Sequence, residues 1–319
     1  MKIFWIKNLI LLVLVGLTGA NAFSQQDPQF THNMFNQLAV NPGFAGGQGM
    51  LSAGMINRQQ WMGLEGNPKT TLFSVHTPVK PFNIPSGVGL TFMDDRLGFE
   101  KNMSINLNYA YRMDLGDGKL GIGLNIGLLS RAINGKWSIP DDDKHSPATQ
   151  DPAIPSEAVS TMNFDMGLGV FYNSDRFYAG FSTAHLLEPT IDFGSGAMLN
   201  MNRHYYLTAG YLIKLANPIY EIQPSIFAKS DGSHNQMDVN VLVLYNKRFW
   251  GGVTYRLGDA VAAMVGTELP NGLRLGISYD FTTSAIGAYS NGTVEFMLGY
   301  NLEIATDKYS QRYKSVRFL

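Results

Sequence analysis

Residues 273–281 decide the fold, and they read Leu-Arg-Leu-Gly-Ile-Ser-Tyr-Asp-Phe. Every second residue, beginning with Leu273, is apolar or aromatic, and Arg, Gly, Ser and Asp occupy the positions between them. Since the side chains of a β-strand alternate between its two faces, one face of this stretch is apolar and the other is polar. The pattern is typical of a membrane β-barrel strand, whose outer face contacts lipid while its inner face lines a polar lumen.

The same alternation recurs in about fourteen runs of roughly ten residues between residues 49 and 303, as in membrane barrels. Clear examples are 105–113, 120–128 and 164–172, whereas Pro224 within 219–229 predicts a bulge or a broken ladder. The connections alternate in length. Short connections lie at 116–118, 173–176, 216–218, 246–247 and 270–271, and longer ones at 58–68, 132–161, 186–200 and 282–292. Because bacterial barrels have short periplasmic turns and longer outer loops, fourteen antiparallel strands with a periplasmic N-terminus are expected.

Composition favours a barrel over the main alternative, a soluble all-β sandwich or solenoid. Only 15% of the 319 residues are charged, and the chain contains 34 Gly, 15 Tyr and 19 Phe. A sandwich would carry Lys, Glu and Thr on its outward face, but the polar face here is rich in Gly, Asn and Ser. The formal net charge of −1 gives no sign of nucleic-acid binding. The absence of Cys leaves no disulfide framework to predict.

The N-terminus has the pattern of a secretory signal. A basic start is followed by the almost wholly apolar stretch 9–17 and then by small residues, so that cleavage fits after Ala22 or, preferably, after Ser24. No other run approaches the roughly 20 apolar residues of a transmembrane helix. The predicted organisation has four parts, which are a signal peptide (1–24), an N-terminal periplasmic strap or plug (25–47), the barrel (48–303) and a periplasmic C-terminal tail (304–319). The expected location is the cell outer membrane.

Two segments outside the strands resemble a known family. Residues 26–46 contain Gln-Asp-Pro-Gln-Phe and later Asn-Pro-Gly-Phe-Ala-Gly, which resembles the opening of the PorP/SprF family. Residues 315–318 are similar to the family's C-terminal Ser-Pro-Arg-aromatic ending, although Val316 replaces the Pro. On this resemblance, the candidate partner-binding residues are Asp27, Pro28, Phe30, Asn41, Pro42, Phe44, Arg317 and Phe318.

The resemblance implies a non-enzymatic outer-membrane component of the type IX secretion system of Bacteroidetes. In the gliding branch, SprF-like members support export or surface attachment of large adhesins. The implied partners are outer-membrane lipid, periplasmic components of the secretion system and secreted adhesin cargo, with no nucleic acid. The alternative function is an outer-membrane channel or a transporter of hydrophobic substrates. Two roles stay open for each terminal segment: the N-terminal one is a strap or a docking surface, and the tail is an overhang or insertion signal, or a docking peptide.

The residues themselves give no sign of catalysis, of a cofactor or of a metal site. The six His residues lack metal-binding spacing such as H-E-x-x-H. Strand alternation predicts that Ser182 and His185 point to opposite faces. A hydrolase needs its nucleophile and its base on the same face, so this pair does not indicate catalysis. The acidic run 141–143 lacks the alternating spacing of a calcium loop, so a solvated loop is expected.

The polar face predicts an ion-paired and partly filled lumen. Charge at lipid-facing positions costs about 2–4 kcal/mol at the membrane midplane, so charged side chains should point inward. The expected inward groups are Arg112, Arg131, Lys214, Arg256 and Arg274 with Asp114, Asp165, Asp238, Glu268, Asp280 and Glu295. Glycines on the same face leave room for another backbone to approach, and they are Gly121, Gly123, Gly167, Gly169 and Gly180.

Overall fold

The alternating runs form the wall of a closed antiparallel barrel. The computed structural model describes residues 27–133, 159–193 and 198–303. Its strands are β1 (Leu51–Gln59), β2 (Lys69–Val79), β3 (Ser86–Leu97), β4 (Glu100–Leu115), β5 (Gly118–Ile133), β6 (Val159–Ser174), β7 (Phe177–Ala184), β8 (Thr190–Asp192), β9 (Met198–Asn200), β10 (His204–Tyr211), β11 (Ile213–Lys214), β12 (Tyr220–Ser230), β13 (Asn235–Tyr245), β14 (Phe249–Arg256), β15 (Ala260–Glu268), β16 (Leu273–Thr282) and β17 (Thr293–Leu302).

Each wall strand pairs with its neighbours along the chain, and β1 closes the barrel by pairing with β17. The described sheet contains fifteen strands, but β10 and β11 occupy one position of the wall and only Leu212 separates them, so the wall has fourteen strands. The hairpin β8–β9 forms a separate small sheet. The predicted all-β barrel of about fourteen antiparallel strands is confirmed. In the described ranges, no helix has both the length and the apolar character required to cross a membrane.

Strand β16 shows how the sequence pattern becomes two faces. Arg274, Ser278 and Asp280 are buried inside the barrel, whereas Leu275 and Ile277 are 42% and 43% exposed on the outside. Other outward positions are also apolar or aromatic around the wall, which is the surface that lipid requires. The alternation therefore reports correctly which face meets the membrane.

Pro224 interrupts one ladder without shifting its register. On the β13 side, Pro224 lies opposite Val241 within a continuous pairing. On the other side, β10 pairs with β12 up to Gly210–Ser225, and pairing resumes at Ile213–Ile222. The gap falls opposite Pro224 because proline has no N–H to donate. The ladder is broken there, and its unchanged register shows that no bulge is inserted.

The two ends of the barrel differ. We call the end that carries connections 80–85, 116–117, 175–176, 215–219, 246–248 and 269–272 the short-turn end. We call the other the long-loop end, and its connections are 60–68, 98–99, 134–158, 185–203, 231–234, 257–259 and 283–292. Most of the predicted loop 132–161, with its acidic run, lies outside the described residues. All the short connections predicted from sequence fall at the short-turn end.

Three predicted side-chain placements are wrong. Lys214 is exposed, and Asp114 is 74% exposed beside Lys119, because both lie near strand ends at the short-turn end, beyond the enclosed lumen. Ser182 and His185 do not point to opposite faces, since both are buried inside. Strand β7 ends at Ala184 and His185 has a φ of 54°, so the alternation of the strand does not extend to it.

Candidate functional site

The lumen is occupied by the chain's own N-terminal residues, which we call the lumen segment (27–50). It contains a 3-10 turn (Asn33–Phe35), a four-residue α-helix, α1 (Gln37–Val40), and a second 3-10 turn (Pro42–Phe44). The helix stops at Asn41, whose extended backbone is the conformation favoured before proline. The Asn41 side chain accepts a hydrogen bond from the Gly43 amide at 2.9 Å and thereby stabilises the second turn.

A buried carboxylate of the wall holds the segment by its backbone. Glu295 on β17 accepts the amide of Thr31 at 2.9 Å and that of His32 at 2.8 Å. Its oxygens also lie 2.7 Å from His32 Nδ1 and 3.0 Å from Arg58 Nη1. Arg58, on β1, further contacts the Thr31 hydroxyl at 3.0 Å and Asp280 on β16 at 2.8 Å. The two strands that close the barrel, β1 and β17, therefore both contact Thr31, and Glu295 on β17 also holds His32.

A second arginine extends this cluster along the wall. Arg256 on β14 lies 3.0 Å from Asp280 and 3.1 Å from Asp238 on β13. Asp238 accepts the side-chain amide of Gln29 at 2.9 Å, and Asp280 accepts the Thr31 hydroxyl at 2.8 Å. The four wall groups Arg256, Asp238, Asp280 and Glu295 are at most 2% exposed. Because an uncompensated buried charge costs about 3–5 kcal/mol, the cluster stays stable only while each charge keeps its partners.

An apolar core joins the segment to inward-facing wall residues. Phe30 and Met34 are buried, and the ring of Phe35 lies 4.6 Å from that of Trp250. The wall contributes Ile56, Leu72, Leu242, Leu244, Trp250, Met264 and Met297 to this cluster. Burial of one large apolar side chain contributes about 1.5–3 kcal/mol. The segment is thus held by ordinary hydrophobic packing as well as by charge.

A track of wall glycines receives the Asn41-Pro42-Gly43 corner. A side chain on Gly121 or Gly123 would overlap the backbone of Pro42 or Gly43. The Asn41 side chain passes beside two further track glycines and donates to the carbonyl of Val170 at 2.9 Å. The close approach requires glycine at these wall positions.

The segment reaches the short-turn end at its C-terminal part. Phe44 packs against Phe171 at 4.9 Å between ring centroids. Arg112 donates to the carbonyl of Ala45 at 3.2 Å, and His76 accepts the amide of Gly46 at 3.2 Å. These contacts lie close to the connection at which β1 begins.

The opposite extreme, Asp27, lies at the long-loop end. Its carboxylate is 3.2 Å from His185 Nε2 and accepts a hydrogen bond from Tyr206, while Lys229 donates to its carbonyl at 2.6 Å. Burial raises the pKa of the Asp27 carboxyl, but the imidazoles of His204 and His185 outweigh this effect and leave that pKa well below its usual value. Burial lowers the pKa of His185, yet the carboxylates of Asp27 and Asp165 outweigh it and raise that pKa to about 10.

Six of the candidate partner-binding residues belong to the lumen segment. Phe30, Asn41, Pro42 and Phe44 are buried, and Asp27 and Pro28 are partly buried. Arg317 and Phe318 lie outside the described residues. Of the predicted inward charges, the structure brings together Arg256 with Asp238 and Asp280, and Arg274 with Glu268 at 2.9 Å.

Sequence reasoning missed Arg58, His32 and the grouping of His185 with His204. Arg58 ends a run with weak alternation, because its strand turns Ile56 inward and Asn57 outward. The cost of charge facing lipid was a usable signal, since it disfavours an outward-facing Arg at every strand position away from the membrane interfaces. No feature of the sequence predicts that His185 lies beside His204, because only the folded barrel brings the two residues together.

A closed barrel with an apolar outer surface, whose lumen holds residues 27–50 of the same chain, defines an integral outer-membrane protein. A family model described as "Type IX secretion system membrane protein PorP/SprF" matches residues 22–300, and the chain belongs to this family. The predicted membership is therefore confirmed. The family is one of type IX secretion membrane proteins, and the fold is that of a membrane barrel. Among curated proteins, none matches the chain.

Solved structures with a similar barrel share little sequence with this chain. The Acinetobacter baumannii outer membrane protein Omp33 is 7% identical, with a TM-score of 0.46 over 81% of this chain and 100% of that chain. The P. putida toluene transporter TodX is 10% identical, with a TM-score of 0.47 over 84% of this chain and 94% of that chain. A Pseudomonas aeruginosa FadL homologue is 12% identical, with a TM-score of 0.46 over 90% of this chain and 97% of that chain.

Proposed function

We propose that this protein is a non-conducting outer-membrane component of type IX secretion that supports export or surface anchoring of large adhesins, including gliding-type cargo. The observation that carries the proposal is the lumen segment, which is held inside the barrel by buried charges and an apolar core. A barrel filled in this way is suited to assembly with other components rather than to free diffusion. Its partners are lipid, periplasmic secretion components and the adhesin cargo.

The orientation follows from the connections. Short turns of bacterial barrels face the periplasm, so the short-turn end and the tail 304–319 lie on that side after cleavage of the signal peptide 1–24. The long-loop end faces outward, where cargo is displayed. The tail, with Arg317 and Phe318, is a docking peptide for periplasmic components.

Conductance and adhesin display together test the proposal. Purified protein in planar bilayers should show little conductance. A variant lacking residues 27–47 should conduct where a heat-modifiability gel shows that it still closes into a barrel, because its lumen is then emptied. A strain without the gene should lose surface adhesin and recover it with the wild-type gene. The alternative is a channel or a hydrophobic-substrate transporter. Steady conductance by the wild-type protein, together with normal adhesin display by the deletion strain, would favour it.

Phe44 offers a sharper test of the segment in export. Phe44→Asp removes the ring that packs against His76 and Phe171 and puts a carboxylate, which is costly to bury, in its place, so the segment should leave this part of the lumen. We expect adhesin display to fall while barrel levels, read from a heat-modifiability gel, stay near wild type. Phe44→Leu keeps the apolar volume and should preserve display. Normal display by Phe44→Asp at wild-type barrel levels would contradict the role of the segment.

Deletion of residues 308–319 tests the tail. A stable barrel that no longer co-purifies periplasmic components in mild detergent is the expected result. Loss of the barrel itself would assign the tail to membrane insertion. A truncated protein that inserts, retains its components and supports display would contradict both roles.

A further inference from the structure

Two imidazoles and one carboxylate converge where the lumen segment meets the long-loop end. Asp27, His185 and His204 present ligand atoms that all lie within 4.8 Å of one another. The two imidazole rings are edge-to-face, with centroids 5.3 Å apart. Both His side chains are buried, and the three residues come from the segment, from the position directly after β7 and from the start of β10.

We propose that Asp27, His185 and His204 bind a divalent transition metal of the zinc class, which fastens the start of the lumen segment to the wall. Two imidazoles and a carboxylate suit zinc and its neighbours in the first transition row. Ligands of a tetrahedral zinc lie roughly 3.3 Å apart, a separation close to the 3.2 Å between His185 Nε2 and Asp27 Oδ1. All three ligand atoms lie within 4.8 Å of one another, so they draw together to this separation when the ion binds, and water takes the remaining position.

The atoms behind the ligands support this assignment. His185 Nδ1 lies 2.8 Å from Asp165 Oδ2, and His204 Nδ1 lies 3.0 Å from the carbonyl oxygen of Asn202. Metal-binding imidazoles are held in this manner, with the far nitrogen donating to a carboxylate or a backbone carbonyl. The donation directs each Nε2 towards Asp27. In His204 that nitrogen already acts as an acceptor, since the Asp27 amide points at it from 3.3 Å.

The surrounding charges are compatible with a cation. Two carboxylates, Asp27 and Asp165, face the site, and Lys229 is the ammonium that contacts Asp27 through its carbonyl. A metal bound to His185 Nε2 takes the place of the proton that this nitrogen shares with Asp27. The Tyr206 hydroxyl stays on the second carboxylate oxygen and orients it. The ion therefore replaces the proton at His185 Nε2 and also the Asp27 N–H, which gives up His204 Nε2 as its acceptor.

Zinc titration of the full-length protein tests the proposal. Protein without a polyhistidine tag is purified in detergent, stripped with EDTA and titrated with zinc chloride against a chromophoric chelator. We expect about one zinc ion per chain, and weakening by at least about 10-fold in His204→Gln and in His185→Gln. Hydrogen exchange of residues 27–32 should slow when zinc is added. His76→Gln, a buried imidazole at the short-turn end, is the matched control and should bind zinc as wild type does.

Each outcome of the titration supports or contradicts the zinc site. No binding to the wild type, or equal binding to wild type and His204→Gln, overturns the site. If a His variant fails a heat-modifiability test for folding, the wild type titrated with cobalt chloride decides instead. Visible absorption bands of a four-coordinate cobalt centre support the site, and their absence overturns it. The proposal does not depend on the secretion function, because it concerns only the attachment of the segment.

Discussion

Arg58 shows how much one side chain does in this protein. From β1 it bridges Asp280 on β16 and Glu295 on β17 and also contacts the Thr31 hydroxyl, so it joins three wall strands to the segment. A buried ion pair contributes little net stability over an apolar replacement, but loss of one partner is strongly destabilising. The value of such a group lies in specifying one arrangement, because a displaced segment would leave its charges unpaired.

Replacement of Arg58 should therefore loosen both wall and segment. Arg58→Met leaves two buried carboxylates with fewer partners, and we expect a loss of about 3–5 kcal/mol in urea unfolding from vesicles. Hydrogen exchange of residues 29–35 should rise in parallel. Arg96→Ala is the control, because Arg96 is 60% exposed in its pair with Asp94 and should lose no more than about 1 kcal/mol. Equal losses in the two variants would contradict the role given to burial.

A glycine of the track can be tested in the same way. Gly123→Val places a branched side chain where Pro42 and Gly43 lie, so the corner of the segment should be expelled while the strand still pairs. We expect proteolysis of residues 27–50 in folded barrels. Gly251→Ala is the control, because its added Cβ would lie 3.6 Å from the nearest atom, which is ordinary contact. A protected segment in Gly123→Val would show that the corner packs elsewhere.

At the scale of the strand, depth in the membrane sets the cost of charge. Ile277 lies midway along β16, and Phe281 lies near its end on the same outer face. Ile277→Arg should destabilise the barrel by about 2–4 kcal/mol, and Phe281→Arg by about 0–1 kcal/mol. Urea unfolding from vesicles measures both. Equal costs would mean that β16 is not centred on the bilayer.

Strand β16 was predictable because its outer face contacts lipid and its inner face lines a polar part of the lumen. Strand β1 was harder, since its inner face carries Ile56, which packs on the segment, and its outer face carries Asn57, which donates to Thr71 at 2.9 Å. The alternation rule assumes a polar lumen. Where the lumen contains an apolar core, an inward-facing residue can be apolar, as Ile56 is. The alternation of β1 is then too weak to show that Arg58 also points inward.

Across the whole molecule, separation along the chain limits what a sequence can reveal. Asp27 and His185 are 158 residues apart, and Asp27 and Tyr206 are 179 apart, yet each pair is in contact. Local spacing reports strands and turns, but such meetings depend on closure of the barrel and on the path of the segment. The candidate segment was found from its motif, and its wall partners emerged only from the fold.

The topology of the molecule predicts opposite accessibility for its two ends. An epitope inserted after Gly232, at the long-loop end, should be labelled by antibody on intact cells. One inserted after Asp117, at the short-turn end, should be labelled only after the outer membrane is permeabilised. Both sites are turns, where insertions are best tolerated. The reverse labelling pattern would mean that the barrel has the opposite orientation in the outer membrane.

The path of the lumen segment also dictates an order of biogenesis. The wall closes where β1 meets β17, and across that seam Arg58 Nη1 lies 3.0 Å from Glu295 Oε2. The same carboxylate accepts the amides of Thr31 and His32, so the seam and the segment share their hydrogen bonds. If the sheet closed before the segment entered the lumen, the Glu295 carboxylate would be buried without the two amide donors. Burial of an unsatisfied polar group is costly. We therefore expect residues 27–50 to be in place before β17 docks against β1.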